Sequence, residues 1–211
     1  VARCGSGHLG SSFSSMEIMS YLHLIKLRVN KDDETAFASD LFFSSKGHDS
    51  PALYSILIGL GKLDFNLLHK LRRLGGLPGH PDVGTPNIVT NTGSLGMGVS
   101  KAKGMITANR LNKKKSNIYV LTGDGELQEG QFWESLISAA NLKMQELTVI
   151  IDHNKLQSDT LVSKVSDLGD LPAKLQSFGW HVSRCNGNDL EQLSSVLADN
   201  DKVTDKPKVI I

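Results

Sequence analysis

Two oxygen-bearing side chains stand where buried strands should end. Asp124 lies between Gly123 and Gly125, directly after the apolar run Ile118 to Thr122. Asn154 follows a second run, Leu147 to Asp152. A carboxylate and an amide carbonyl are hard donors that suit Mg2+ or Ca2+ better than Zn2+. Mg2+ held by so few protein ligands shares its shell with phosphate oxygens and water. Gly125 lets the backbone approach such a phosphate, and the helix after it turns N–H groups the same way. The local chemistry is therefore a diphosphate held through a metal. A plain turn, with Asp124 capping a helix, uses the same residues. Three histidines, His8, His48 and His80, also lie in glycine-containing loops. Imidazole is the side chain best suited to moving protons near neutral pH. Each of the three also has a structural role open to it, as a polar cap or a loop residue. Glu129 and Glu134 sit at the start of the next helix, where acids favour the helix N-terminus; Glu126, Glu134 and Asp159 read as surface acids.

These residues must be positioned by alternating strands and helices. Ser14 to Glu17 has the capping-box pattern, and Ile18, Leu22 and Ile25 continue at helical spacing. The polar patch Asn30 to Glu34 ends that helix. Asp49-Ser50-Pro51 caps a helix running to Gly61, and Asp64 caps a short one reaching Leu74. Residues 75 to 98 are crowded with glycine and proline and form a long loop, of a length usually reserved for function or disorder. A helix is expected from Leu95 to Leu111 and a strand over Ile118 to Thr122. A helix over 129 to 142 and a strand over Leu147 to Asp152 follow. Next come a helix from Asp170 to Gly179, a strand from Trp180 to Arg184, a helix from Asp189 to Leu197 and a strand from Val209. That alternation predicts an α/β fold, a parallel sheet with helices on both faces. If the strands before Asp124 and Asn154 are neighbours, both side chains reach one crevice past the strand ends, where ligands of such sheets bind.

Composition narrows the function classes. The chain has 211 residues, a net charge of +1 and 21% charged residues, which excludes a broadly basic nucleic-acid surface. Lys113 to Lys115 is expected as a solvated loop at a helix end. No apolar run has membrane-spanning length. Two distant cysteines, Cys4 and Cys185, fit a reduced, cytoplasmic setting. No linker interrupts residues 1–211, read as a single domain. Val1 and the strand-like Val209-Ile210-Ile211 are read as cut ends of something longer.

The set of motifs resembles transketolase. Gly123-Asp124-Gly125, with 28 residues before Asn154, matches the thiamine diphosphate motif. The stretches GDGELQEGQFWE and IDHNKLQ resemble that enzyme in particular. So do SGHLG (6–10), SKGHDSPALYS (45–55), GLPGHPD (76–82) and TGSLGMG (92–98), all in family order. The resemblance implies the thiamine diphosphate-binding fold and its diphosphate-binding domain. It implies that Asp124, Asn154 and the Leu156 carbonyl hold Mg2+ or Ca2+, and that Gly125 contacts the diphosphate. Gly93, Ser94 and Leu95 would line the ring pocket. His8, His48 and His80 would face the reacting centre or the diphosphate, with His48 also near the cofactor, and Glu129 and Glu134 match a pair of acids that meet across the dimer interface. His23, His69, His153 and His181 match no motif; His153 is expected to alternate away from the crevice.

The same resemblance implies transfer of a two-carbon ketol unit between sugar phosphates. It implies a partner too, a C-terminal subunit or domain carrying the cofactor-activating glutamate, in a homodimer or α2β2 assembly. Related readings are a 1-deoxyxylulose 5-phosphate synthase and a non-catalytic cofactor-binding subunit. Several positions depart from the family pattern: Leu9 replaces a proline, Ser94 a proline and Met97 a glutamine. Asp40-Leu41-Phe42 lacks an arginine, and Ser158 stands where an aliphatic residue packs the thiazolium.

Overall fold

The computed structural model describes residues 1–28, 40–158 and 160–211. Five parallel strands form the centre: β1 (Leu41–Ser44), β2 (Ile118–Gly123), β3 (Leu147–Asp152), then β7 (Lys208–Ile210) and β6 (His181–Ser183). Between β3 and β6 the chain adds a small antiparallel ribbon, β4 (Leu156–Gln157) and β5 (Thr160–Leu161). The β2–β3 register runs from Ile118 opposite Leu147 to Gly123 opposite Asp152. The two strands therefore end together, as the crevice requires.

Side chains alternate along each strand and divide into two cores. Leu41, Phe43, Ile118, Val120, Leu147, Val149 and Val209 face one way. Phe42, Tyr119, Leu121, Ile150 and Ile210 face the other. Parallel sheets need both faces covered because their crossovers place helices there. On the first face lie α4 (Gly98–Leu111), α5 (Gly130–Asn141) and α7 (Leu171–Ser177). Val99, Ala102 and Ile106 give α4 its buried stripe, and Phe132, Leu136 and Ala139 do so for α5. The second face holds α2 (Met16–Tyr21), α3 (Ser50–Gly59) and α8 (Leu190–Asp201). The short helices α1 (Leu9–Ser14) and α6 (Val162–Val165) complete the set. Removing a fully buried leucine such as Leu136 from this packing costs about 2–5 kcal/mol.

Capping explains several boundaries. Asp170 accepts from the Ala173 amide at 3.0 Å, and Asp189 accepts from Glu191 and Gln192 at 3.0 and 3.1 Å. Other expectations need correction. Ser14 is the last residue of α1 and makes no capping box, because its hydroxyl donates to Asp152 at 2.6 Å while Glu17 accepts from Asn188. The helix around Ile18 passes into a π turn at Leu22–Lys26. The wider turn carries Ile25 off the buried stripe, leaving it 68% exposed. Asp64 caps only a 3-10 turn, Phe65–Leu67. The helix expected from Leu95 begins at Gly98. The expected elements do not include α1, β1, α6 or the ribbon, short pieces without a clear apolar period. The Asn30 to Glu34 patch lies outside the described residues.

Candidate functional site

The crevice is built at the carboxyl ends of β1, β2 and β3. Asp124 sits on the first residue past β2 and is 1% exposed. Its Oδ1 accepts from the Gly125 amide at 2.9 Å and its Oδ2 from the Lys155 amide at 2.6 Å. Burial pushes its pKa up, against the pull of those two N–H donors. It also caps the 3-10 turn Gly125–Gln128, so the capping role and the crevice position are both real. Asn154 lies past the end of β3, after Asp152 and His153. Its Oδ1 accepts from the Leu156 amide at 2.8 Å, and Leu156 opens the ribbon. The two side chains thus hold the ends of adjacent strands and the ribbon in one network. At Gly125 a Cβ would stand 3.3 Å from Gln157, so a side chain would crowd the ribbon.

Two further glycine loops come to the same end of the sheet. Gly47 has φ +70°, and a Cβ there would lie 2.7 Å from the Gly93 amide nitrogen and 2.9 Å from the His80 ring. Gly93 has φ +115°, and its Cβ would lie 2.7 Å from that ring. Only glycine permits this approach. The segments around His48, His80 and Gly93 are therefore pressed together, although they are far apart in sequence. The N-terminal half of α3 fixes the His80 loop: Ser50 donates to the Gly79 carbonyl at 2.8 Å and Tyr54 to the His80 carbonyl at 3.2 Å. The His8 and His48 rings lie 4.8 Å apart, centroid to centroid. Although His8 stands at the cap position of α1, its ring makes no capping hydrogen bond. Burial holds both His48 and His80 below the ordinary imidazole value; Lys46 adds to this at His48, and Arg72 at His80. Neutral imidazoles that can accept a proton result.

Ser94 and Leu95 lie exposed on the same loop, as do Glu129 and Glu134 on and after the cap of α5. The Glu129 Cβ backs Gly96, where a side chain would come within 2.9 Å.

The crevice also contains charges that the sequence reading missed. Lys46 is 2% exposed and bridges Asp152 at 2.8 Å and Asp49 at 3.4 Å. Burial works against its ammonium, but the two carboxylates together outweigh that and hold its pKa above the usual lysine range. Asp49 is the cap residue of α3, yet its carboxylate accepts from Ser44 at 2.7 Å and makes no cap bond. Asp152 ends an apolar strand just as Asp124 does, which was the available signal. Glu126 is a correction: expected at the surface, it is 2% exposed, bound to Ser45 and Gly96. His153 stands past the end of β3: its Nδ1 lies 2.9 Å from Arg184, and it lines a cavity of about 350 Å³ with Asp152 and Asn154 but without Asp124 or the three loop histidines. Asp159 lies outside the described residues.

Asp124 and Asn154 bring a carboxylate and an amide carbonyl, hard oxygen donors of the kind Mg2+ and Ca2+ take, to the ends of adjacent strands. Comparison with known proteins gives the family. The family profile "Transketolase, thiamine diphosphate binding domain" matches residues 1–211. The 6-deoxy-6-sulfo-D-fructose transketolase subunit SqwG of Clostridium sp. (strain MSTE9) is 34% identical over 213 aligned positions, covering 100% of this chain and 78% of that protein. An apulose-4-phosphate transketolase subunit of Phocaeicola vulgatus is 33% identical, covering 100% of this chain and 75% of its own length. Among solved structures, transketolase from Leishmania mexicana superposes with a TM-score of 0.91 at 31% identity. That match takes in 100% of this chain but only 33% of the other. The chain thus spans about three quarters of the subunit-type relatives and a third of that longer transketolase. It belongs to the transketolase family, as its thiamine diphosphate-binding domain.

Proposed function

We propose that residues 1–211 act as one diphosphate-binding domain of an enzyme that moves a two-carbon ketol unit between sugar phosphates. The observation that carries this reading is the shared end of β2 and β3. It sets Asp124 and Asn154 past adjacent strand ends, beside the pressed loops of His48, His80 and Gly93. In this reading Asp124, Asn154 and the Leu156 carbonyl hold Mg2+, with Ca2+ as a substitute. Gly125 turns its backbone to the diphosphate, and Gly93, Ser94 and Leu95 line the ring pocket.

When bound, thiamine diphosphate supplies the carbanion chemistry that cleaves and forms the carbon–carbon bond. The chain's own residues orient and shuttle protons. His48 and His80 are held neutral by their surroundings and accept protons from substrate hydroxyls, and His8 beside His48 extends the relay. Glu129, exposed at the cap of α5, is placed to meet an acid of a neighbouring subunit.

A partner subunit or C-terminal domain completes the site with the activating glutamate, in a homodimer or α2β2 assembly. Two relatives bear the word "subunit" in their names, which supports a divided enzyme. A cytoplasmic setting goes with the two free cysteines. Among the described residues no helix is long and apolar enough to cross a membrane.

The test is calorimetric titration of thiamine diphosphate with Mg2+, on the wild type and on Asp124→Ala. Affinity should fall at least about tenfold, or about 1.4 kcal/mol, and chelation of the metal should do the same. Unchanged affinity in the variant would remove Asp124 from the metal site. Ketol transfer should appear only when the partner is added, and full turnover by this chain alone would refute the divided site.

A further inference from the structure

The roles above leave the buried acid Glu126 unexplained. It sits on the 3-10 turn two residues past Asp124. Its Oε1 accepts from the Ser45 hydroxyl and from the Gly96 amide, the latter at 2.8 Å. Its Oε2 is buried and makes no hydrogen bond of good geometry among the described residues, although the Gly123 amide faces the carboxylate. The two donors come from separate segments. Ser45 follows β1 and leads directly into Lys46-Gly47-His48. Gly96 closes the loop that begins at Gly93, has φ +80°, and lies before the first residue of α4, so no helix bond can serve its amide. One carboxylate oxygen therefore joins the loop of His48, the loop of Gly93 to Gly96 and the turn that carries Asp124.

The surroundings leave this joint little slack. A Cβ at Gly98 would meet Ser45 at 2.5 Å, and one at Gly96 would meet Glu129 at 2.9 Å. Burying a carboxyl here costs more than burying an apolar side chain of the same size, and the poorly bonded Oε2 adds to that cost. A fully apolar joint could pack the turn, but it could not accept an amide and a hydroxyl at once. What the acid adds is a fixed distance between loops.

We propose that Glu126 is a positioning residue that sets the ring-lining loop Gly93–Gly96 at a fixed height relative to Asp124. This rests on the proposed cofactor site, in which that loop meets the rings and Asp124 the diphosphate end. Glu126 touches neither end itself, so its loss should separate them.

The experiment compares two probes, thiamine diphosphate and inorganic pyrophosphate, each with Mg2+, on the chain assembled with its partner. Glu126→Ala should weaken thiamine diphosphate about tenfold and leave pyrophosphate within about twofold. Glu126→Gln keeps the oxygen that accepts from Ser45 and Gly96 and should restore thiamine diphosphate to within about threefold of wild type. Ser45→Ala should show a smaller loss of the same selective kind, and carries the test if Glu126→Ala does not fold. Equal loss of both probes, or loss of neither, overturns the positioning role while leaving the site intact. Wild-type protein that binds neither probe overturns the site and the proposal together.

Discussion

Replacing Lys46 with Met tests the charge arrangement of the crevice without any ligand. The ammonium is 2% exposed and lies between Asp49, fully buried, and Asp152, 7% exposed. Removing one partner from a buried ion pair costs about 3–5 kcal/mol, because a charge is left without compensation. Here two carboxylates are left, but each keeps other donors. Asp152 retains the Ser14 hydroxyl at 2.6 Å, and Asp49 retains the Ser44 hydroxyl at 2.7 Å. The lower end, about 3 kcal/mol, is therefore expected. At about 2–4 °C per kcal/mol for a chain of this size, the melting temperature should fall by about 6–12 °C. Thermal and urea denaturation of the ligand-free protein measure this. The double variant Lys46→Met, Asp152→Asn removes one of the orphaned charges and should recover at least about 1 kcal/mol. A loss below about 1 kcal/mol in Lys46→Met, the size of an exposed pair, would refute the buried triad.

Other perturbations address the loops and the histidines. Gly47→Ala should lower stability by about 1–3 kcal/mol through its left-handed φ and weaken thiamine diphosphate further by pushing the Gly93 and His80 loops apart. Gly104→Ala, in α4 with open space around it, is the control and should stabilise by about 0.5–1 kcal/mol; melting curves and cofactor titration of both variants decide. His23 and His48 are held below their ordinary value of 6.5, chiefly by burial. The unfolded chain then takes up protons near 6.5 that the fold takes up only at lower pH. Their contribution is fully present above 6.5 and is lost as pH falls through 6.5 toward the folded values. Urea denaturation between about pH 7.5 and about pH 5.5 should show stability falling with acid. His23→Phe, which keeps the edge contact with Phe42, should flatten that slope, and an unchanged slope would count against the assignment.

Much of the architecture is legible in one dimension. The runs ending at Thr122 and Asp152 are long enough to show as strands, and α5 and α8 carry clear helical spacing. The helix starts expected at Asp170 and Asp189 are short-range signals, complete within a few residues, and the structure shows both acids capping the helices that follow. Expectations broke down where an element was short or where a side chain found a distant partner. Ser14 had a local capping pattern, but Asp152, remote in sequence, took its hydroxyl. The four residues of the strand β1 are all buried, so no apolar–polar alternation marks it.

By itself the sequence determined which residue types could do chemistry and in what order they come: Asp124 and Asn154 after strands, and His8, His48 and His80 in glycine loops. Their types and flanking glycines are local properties, and backbone sterics act locally. Only the tertiary structure decided which charges are buried. In a one-dimensional reading Glu126 is a surface acid, Asp49 a helix cap and Asp152 a strand end, and nothing marks any of them, or Lys46, as a buried charge. A charge becomes buried through what packs over it, and here that cover comes from segments tens of residues away. Glu126 shows this most sharply: in the sequence it is a turn residue with no period to place it, and in the fold it is where three loops of the site are joined.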